Sequence, residues 1–329
     1  MKAIRYHAYG PPDVLRLEDV DMPAVGDDDV LIRVRAASVN PLDWHIMRGK
    51  PYITRLQNGL TRPKSGALGG DLAGSVEAVG RNVTRFRPGD EVYGGCGLYL
   101  VPGTTGFAEY ACLRQDAMVH RMPAGLTFEQ AAAMPVAGVC SVQALRDKAG
   151  VRAGHRVLVN GAAGGLGTFS VQVAKALGAE VTGVCSTRNV EMVRSIGADH
   201  VIDYTKEDYT RTGRRYDVVL DVVANRAFTA NRRVLTRRGV FVECAPCKGE
   251  WLGAPLGLVR LYLLGRVVPQ RMGFLLCRNS QEDLAVLNGL VETGKLMPVI
   301  DRTYSLDEAA EAVRYLERGH ARGKVVVTV

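Results

Sequence analysis

The chain has 329 residues, 47% of them hydrophobic and 23% charged, which gives length for two cores and excludes a disordered or fibrous protein. Its formal net charge of +8 comes from 42 Lys and Arg against 34 Asp and Glu. The densest basic cluster, Arg232, Arg233, Arg237 and Arg238, falls in one short amphipathic stretch expected to be a solvated helix face. No zinc finger, RNA-binding signature or basic tail accompanies it, so nucleic acid is not an expected partner.

The first residues, MKAIRYHAYG, run into alternating polar and apolar positions without an apolar leader, so export is not expected and the cytoplasm is the expected location. Val30, Ile32 and Val34 alternate with Leu31, Arg33 and Arg35, and RPGDEVYG (87–94) sets a Pro-Gly-Asp turn ahead of another strand. Up to about residue 125 the chain is therefore predicted to be mostly β structure. From about 156 to 245 it alternates strand and helix: RVLVN, then LGTFSVQVAKALG with Leu166, Val173 and Leu177 at helical spacing and Gly178 as its stop. EVTGVC, a helix NVEMVRSIG, HVIDY, YDVVLDVV, a helix FTANRRVLTRRG and GVFVECA follow. Repeated alternation with almost continuously apolar strands predicts a parallel sheet covered on both faces.

MGFLL (272–276) is a candidate last strand of that sheet. The most apolar stretch, 255–276, is interrupted by Arg260, Arg266, Pro269 and Arg271, short of the roughly 20 residues that span a bilayer. It is expected to be a buried strand with a lid or subunit contact, not an integral membrane segment. Helices near 281–293 and 307–318 and the strand GKVVVTV break the alternation and are expected to return to the first domain. The domain boundaries expected are 1–124, 125–277 and 278–329. Seven cysteines at irregular spacing suggest reduced thiols, not a disulfide framework. Cys244 and Cys247 have C-x-x-C spacing, but no second pair completes a zinc site.

Between the first strand and first helix of the predicted sheet lies NGAAGGLG, in which Gly161, Gly164 and Gly167 alternate with Ala162, Ala163, Gly165 and Leu166. Small residues allow a tight turn and let backbone amides approach a pyrophosphate, and the helix N-terminus adds partial positive charge. A glycine cluster can also serve helix–strand packing alone; its place after an apolar strand and before a helix favours a dinucleotide. Roughly 20 residues past such a loop, NAD-binding chains carry an acid that bonds the adenosine ribose. Here the stretch is CSTRN, offering Ser186, Thr187 and Arg188. Hydroxyls and a guanidinium suit the 2′-phosphate of NADPH, although Ser186 or Thr187 would equally cap the next helix.

On ASVNPLDWHIMRG (37–49), LGGDLAGSVEAVG (68–80), RPGDEVYG (87–94), VNGAAGGLG (159–167), GADHVIDY (197–204) and HARGKVVVTV (320–329), the chain resembles the medium-chain dehydrogenase/reductase superfamily, specifically its zinc-independent quinone oxidoreductase (zeta-crystallin-like) branch. The resemblance implies an α/β fold: a GroES-like β-rich catalytic domain plus a Rossmann domain, with the nicotinamide held between them. Zinc-dependent relatives have Cys where this chain has Asn40 and Gly-His-Glu where it has Gly69, Gly70 and Asp71; 91–112 contains only Cys96 and Cys112. No metal is expected to bind.

Without a Lewis acid, simple alcohols are hard to oxidise, so the implied reaction is hydride transfer from NADPH to a quinone or α,β-unsaturated carbonyl. The resemblance implies Asn40 near the nicotinamide ribose, ordered by Asp43, with Tyr52 and His45 as candidate proton donors and solvent as the alternative. It also implies Tyr204 near the adenosine phosphate, Val223 and Cys244 along the cofactor, and Arg322 and Lys324 closing over it. Relatives often carry Thr near the position of Cys140. A homodimer is implied too. A secondary-alcohol dehydrogenase and a non-catalytic NADPH-binding protein are the rival expectations.

Overall fold

The computed structural model describes residues 1–95, 106–244 and 268–329. Its strands are β1 (Lys2–Arg5), β2 (Arg16–Asp19), β3 (Asp29–Val39), β4 (Asp71–Val79), β5 (Glu91–Gly95), β6 (Tyr110–Arg114), β7 (Met118–Arg121), β8 (Arg156–Asn160), β9 (Glu180–Cys185), β10 (His200–Asp203), β11 (Tyr216–Asp221), β12 (Leu235–Glu243), β13 (Arg271–Phe274), β14 (Ile300–Ser305) and β15 (Lys324–Thr328). Its α-helices are α1 (Pro41–Arg48), α2 (Arg55–Asn58), α3 (Phe128–Ala132), α4 (Pro135–Val142), α5 (Gly165–Ala176), α6 (Val190–Ser195), α7 (Phe228–Arg232), α8 (Gln281–Glu292) and α9 (Ala309–Glu317). The chain divides into two compact units. The first is Met1–Val139 with Arg278–Glu292 and Pro298–Val329; the second is Cys140–Cys277 with Thr293–Met297.

In the first unit one sheet runs β14-β15-β3-β4-β5-β7, with β6 paired to β3. The 11 residues of β3 serve two cores. Val30, Ile32 and Val34 pack with Leu72, Val76 and Val92, while Ala37 and Val39 pack with Met47, Phe107 and Val325. β15 pairs antiparallel with β3, so the C-terminal strand sits in the middle of the first unit's sheet. Helix α3 packs against β3 and β4. That packing carries the first unit to Val139, beyond the change of pattern read near residue 125.

The second unit holds a six-stranded sheet in the order β10-β9-β8-β11-β12-β13. Every pairing in it is parallel. Val157, Leu158 and Val159 are fully buried, as strands covered on both faces require. The strand order reverses between β8 and β11, and in such sheets ligands bind beyond the carboxyl ends of the strands at that point.

Two expectations are corrected here. FTANRRVLTRRG is not one helix: α7 ends at Arg232, and Leu235 already pairs with Tyr216 before residues 236–239 bulge and Val240 resumes opposite Val218. The apolar run GVFV draws the segment into the sheet, so the four arginines are split between a helix end and a bulge and do not share a helix face. The cysteines are not all free, since Cys140 and Cys277 form a disulfide with Cα atoms 5.6 Å apart, across a sequence separation of 137. They are the first and last residues of the second unit's main segment. Cys112, Cys185 and Cys244 are free thiols, while Cys96 and Cys247 lie outside the described residues, as does 255–267 of the apolar stretch. Among the described residues no helix is long and apolar enough to cross a membrane.

Candidate functional site

The glycine loop leaves β8 and is tied to the neighbouring strand β9: the amides of Gly161 and Ala162 donate to the Val184 carbonyl at 3.2 and 3.0 Å. Gly161 has φ +91°, a conformation L side chains avoid, and a Cβ there would lie 2.6 Å from Val223 Cγ2. A Cβ on Gly167 would come 2.0 Å from the Gly161 carbonyl oxygen, so this glycine lets the helix start against the turn. Gly164 is different: among the described residues a Cβ there meets nothing nearer than 3.6 Å, and its backbone is ordinary extended chain. It is the N-cap of α5 and has no capping side chain, and the first helical bond is Thr168 N–H to the Gly164 carbonyl at 2.9 Å. The amides of Gly165 and Leu166 precede that bond. An anionic pyrophosphate fits there.

At the tip of β9, Ser186, Thr187 and Arg188 form the turn into α6, with Thr187 and Arg188 exposed. The Ser186 hydroxyl oxygen accepts from Asn189 Nδ2 at 3.2 Å, which leaves its own proton to give. Thr187 is otherwise engaged: its hydroxyl donates to Asp203 Oδ2 at 2.6 Å. Asp203 ends β10, directly opposite Cys185. Tyr204 follows it with a half-exposed ring and a backbone amide bonded to the Cys185 carbonyl at 3.0 Å.

The third strand end is built by a polar knot that no sequence motif marks. The buried Asp221 accepts from Asn160 Nδ2 at 2.8 Å, from the amides of Val223 and Ala224 at 3.1 and 2.9 Å, and from Asn231 Nδ2 at 3.3 Å. Those bonds fix the turn that presents Val223, and the amide of Cys244 donates to the Asp221 carbonyl at 2.8 Å. Burial, and then Asp221 and Glu243, push the Cys244 thiol far up, so it stays protonated.

In the first unit a second polar cluster surrounds Asp71 at the start of β4. Its Oδ2 accepts from Ser38 Oγ at 2.8 Å and Asn40 Nδ2 at 2.8 Å and lies 3.3 Å from Lys324 Nζ, while Oδ1 accepts from the Val136 amide at 3.0 Å. Lys324 also donates to Asn40 Oδ1 at 2.7 Å. These two contacts define the orientation of the Asn40 amide, since only its oxygen can face the ammonium. Lys324 is therefore buried, and its ammonium is held by Asn40 and Asp71. Asn40 caps α1, and Asp43 accepts from the amides of Asn40 at 2.7 Å and Gly69 at 3.0 Å. Complete burial, then the charge of Asp71, raise the Asp43 carboxyl to about 6 despite those two donors.

Tyr52 and Arg322 are not part of this cluster. Tyr52 lies in a short 3-10 turn with the Arg55 guanidinium 4.8 Å from its ring centroid, and Arg322 is exposed with its backbone amide on Asp301. His45 Nδ1 donates to the Lys50 carbonyl at 2.9 Å, and burial lowers its basicity. It is held neutral with its one proton engaged, a poor arrangement for a proton donor. Among the described residues no group of three or more His, Cys, Asp or Glu could hold a metal ion.

The family models described as "Alcohol dehydrogenase GroES-like domain" and "Zinc-binding dehydrogenase" match residues 26–124 and 196–327. The chain is 36% identical over 335 residues to 2-methylene-furan-3-one reductase of Solanum lycopersicum, covering 99% of this chain and 79% of that protein. It is 34% identical over 337 residues to the chloroplastic NADPH-dependent alkenal/one oxidoreductase of Arabidopsis thaliana, with the same coverage, 99% and 79%. The solved quinone oxidoreductase from Coxiella burnetii superposes with a TM-score of 0.87 at 34% identity, covering 100% of this chain and 99% of the other.

Proposed function

The chain belongs to the medium-chain dehydrogenase/reductase superfamily, in its quinone oxidoreductase branch, and on that premise we propose that it is an NADPH-dependent reductase passing hydride to a quinone or an α,β-unsaturated carbonyl. The observation that supports the reading is the start of α5, where Gly164 is an N-cap with no capping side chain and no described residue comes nearer than 3.6 Å to the place of a Cβ. When bound, NADPH supplies the hydride. The chain's own residues bind and orient it. The α5 amides take the pyrophosphate, Ser186 and Arg188 the 2′-phosphate, and Tyr204 covers the adenosine side. Val223 and the Cys244 backbone form the wall toward the nicotinamide.

In the first unit, Asn40 is the proposed contact to the nicotinamide ribose, its amide locked by Lys324 and Asp71, with Asp43 holding the turn. No zinc is proposed: both carboxylate oxygens of Asp71 are already engaged by Ser38, Asn40, Lys324 and Val136, which supports that reading. Conjugated acceptors need less polarisation than an isolated carbonyl, which suits a metal-free site. With His45 neutral and its proton engaged, solvent is the proposed proton source, and Tyr52 is the side-chain alternative. A cytoplasmic homodimer is proposed on family resemblance.

The test is consumption of NADPH with a 1,4-quinone and with an enone, beside NADP⁺ reduction with secondary alcohols, on protein whose zinc content is measured. Turnover with quinone or enone supports the proposal. Turnover with alcohols alone makes the protein a dehydrogenase, and NADPH binding without turnover on any acceptor makes it a nucleotide-binding protein.

A further inference from the structure

The acidic residue absent from the end of β9 is supplied by the next strand. Asp203 closes β10 in register with Cys185, so its carboxylate stands about one strand spacing of 4.8 Å from the place where NAD-binding sheets carry their ribose-binding acid. It is held there by Thr187 Oγ1 at 2.6 Å on Oδ2, and by Thr205 Oγ1 at 2.7 Å and the Thr205 amide at 3.0 Å on Oδ1. Lys206 lies 3.6 Å away. These contacts, the Thr187 hydroxyl first, hold the Asp203 carboxyl down at about 2, so it is ionised at any working pH.

Two consequences follow for a nucleotide at this tip. A hydroxyl has one proton, and Thr187 has given its proton to a carboxylate, so toward a phosphate it presents lone pairs, which repel. A fixed negative charge is also bonded to Thr187, which lies between Ser186 and Arg188 in the turn, and it opposes the added charge of a 2′-phosphate.

We propose that Asp203 is a specificity-determining residue of the nucleotide site: through Thr187 and its own charge it lowers the preference for NADPH, so that the chain also accepts NADH. The inference rests on the proposed nucleotide-binding function and goes beyond it by assigning the discrimination to a strand that does not carry the phosphate-binding turn. Asp203 acts with Ser186 and Arg188, which favour the 2′-phosphate, and the measured preference is the balance between them.

Calorimetric titration of NADPH and NADH against the wild type, Asp203→Asn and Asp203→Ser tests this. Both variants remove the charge, and Ser keeps a hydroxyl oxygen for Thr187. The ratio of the NADH to the NADPH dissociation constant is expected to rise about tenfold in both, mainly through tighter NADPH binding, in protein that still melts cooperatively. An unchanged ratio in folded variants overturns the inference, as does equal weakening of both nucleotides, which is what a merely structural carboxylate would give. Wild-type protein that binds neither nucleotide overturns the proposed function and this inference with it. Wild-type NADPH binding with an unmoved ratio overturns the inference alone.

Discussion

Lys324 and Asp71, 253 positions apart in the chain, meet in the core of the first unit with the ammonium 3.3 Å from the carboxylate and side chains 4% and 0% exposed. Removing one member of such a pair strands the other charge away from water. Lys324→Met is expected to lower unfolding free energy by about 3–5 kcal/mol in urea titration, and adding Asp71→Asn to cost less than the sum of the two single changes. A loss under about 1 kcal/mol would mean the ammonium is not buried against the carboxylate as described.

Asp43 sets a pH dependence of opposite sign to that of a salt-bridged carboxylate. Its folded carboxyl is raised to about 6 by burial and by Asp71, so between the ordinary carboxylate range and that value the folded chain holds a proton the unfolded chain has lost. Its contribution to stability is greatest at low pH and declines as pH rises through about 6. The stability of the wild type minus that of Asp43→Asn should therefore shrink by about 3 kcal/mol from pH 4 to pH 7. A difference that is flat or grows with pH contradicts the shift.

Much of the second unit was legible because its signals are local. An apolar strand, a glycine turn and a helical repeat are contiguous, and VNGAAGGLG with its helix lies where the pattern put it. The polar sites were less legible because they join distant positions. Lys324 opens the strand GKVVVTV, and only the pairing of β15 with β3 shows that it faces inward onto Asn40. Asp203 is not legible as a site residue because the expected position for an acid is the end of β9, while this carboxylate arrives from the neighbouring strand. The Asp221 knot carries no motif beyond short polar side chains at strand ends. Helix propensity over Arg232 to Arg238 lost to β12, the interior strand that this segment feeds.

Gly164 and Gly167 should separate binding from folding. Gly164→Ala adds a methyl with no described residue nearer than 3.6 Å, in an ordinary conformation, so its melting temperature should match the wild type while NADPH affinity falls about tenfold or more as the methyl meets the phosphates. Gly167→Ala drives a methyl onto the Gly161 carbonyl, so stability itself should fall by about 1–3 kcal/mol. Wild-type NADPH affinity in Gly164→Ala would place the pyrophosphate elsewhere.

The Cys140–Cys277 bond closes the ends of the second unit's main segment. Cross-linking across 137 positions restricts the unfolded chain, so reduction is expected to lower stability by about 2–5 kcal/mol. Cys140→Ser should match the reduced protein and no longer respond to reductant. Intact mass after alkylation, with and without prior reduction, reports whether the bond is present.

The most direct test of the reductase itself is transfer of label from NADPH deuterated at the nicotinamide C4 to an enone, with product analysed by mass spectrometry and NMR. One deuteron from a single face of the nicotinamide, found at the β-carbon of the saturated ketone, is the expected result. Unlabelled product, or NADPH bound tightly and left unoxidised by every quinone and enone offered, would contradict it.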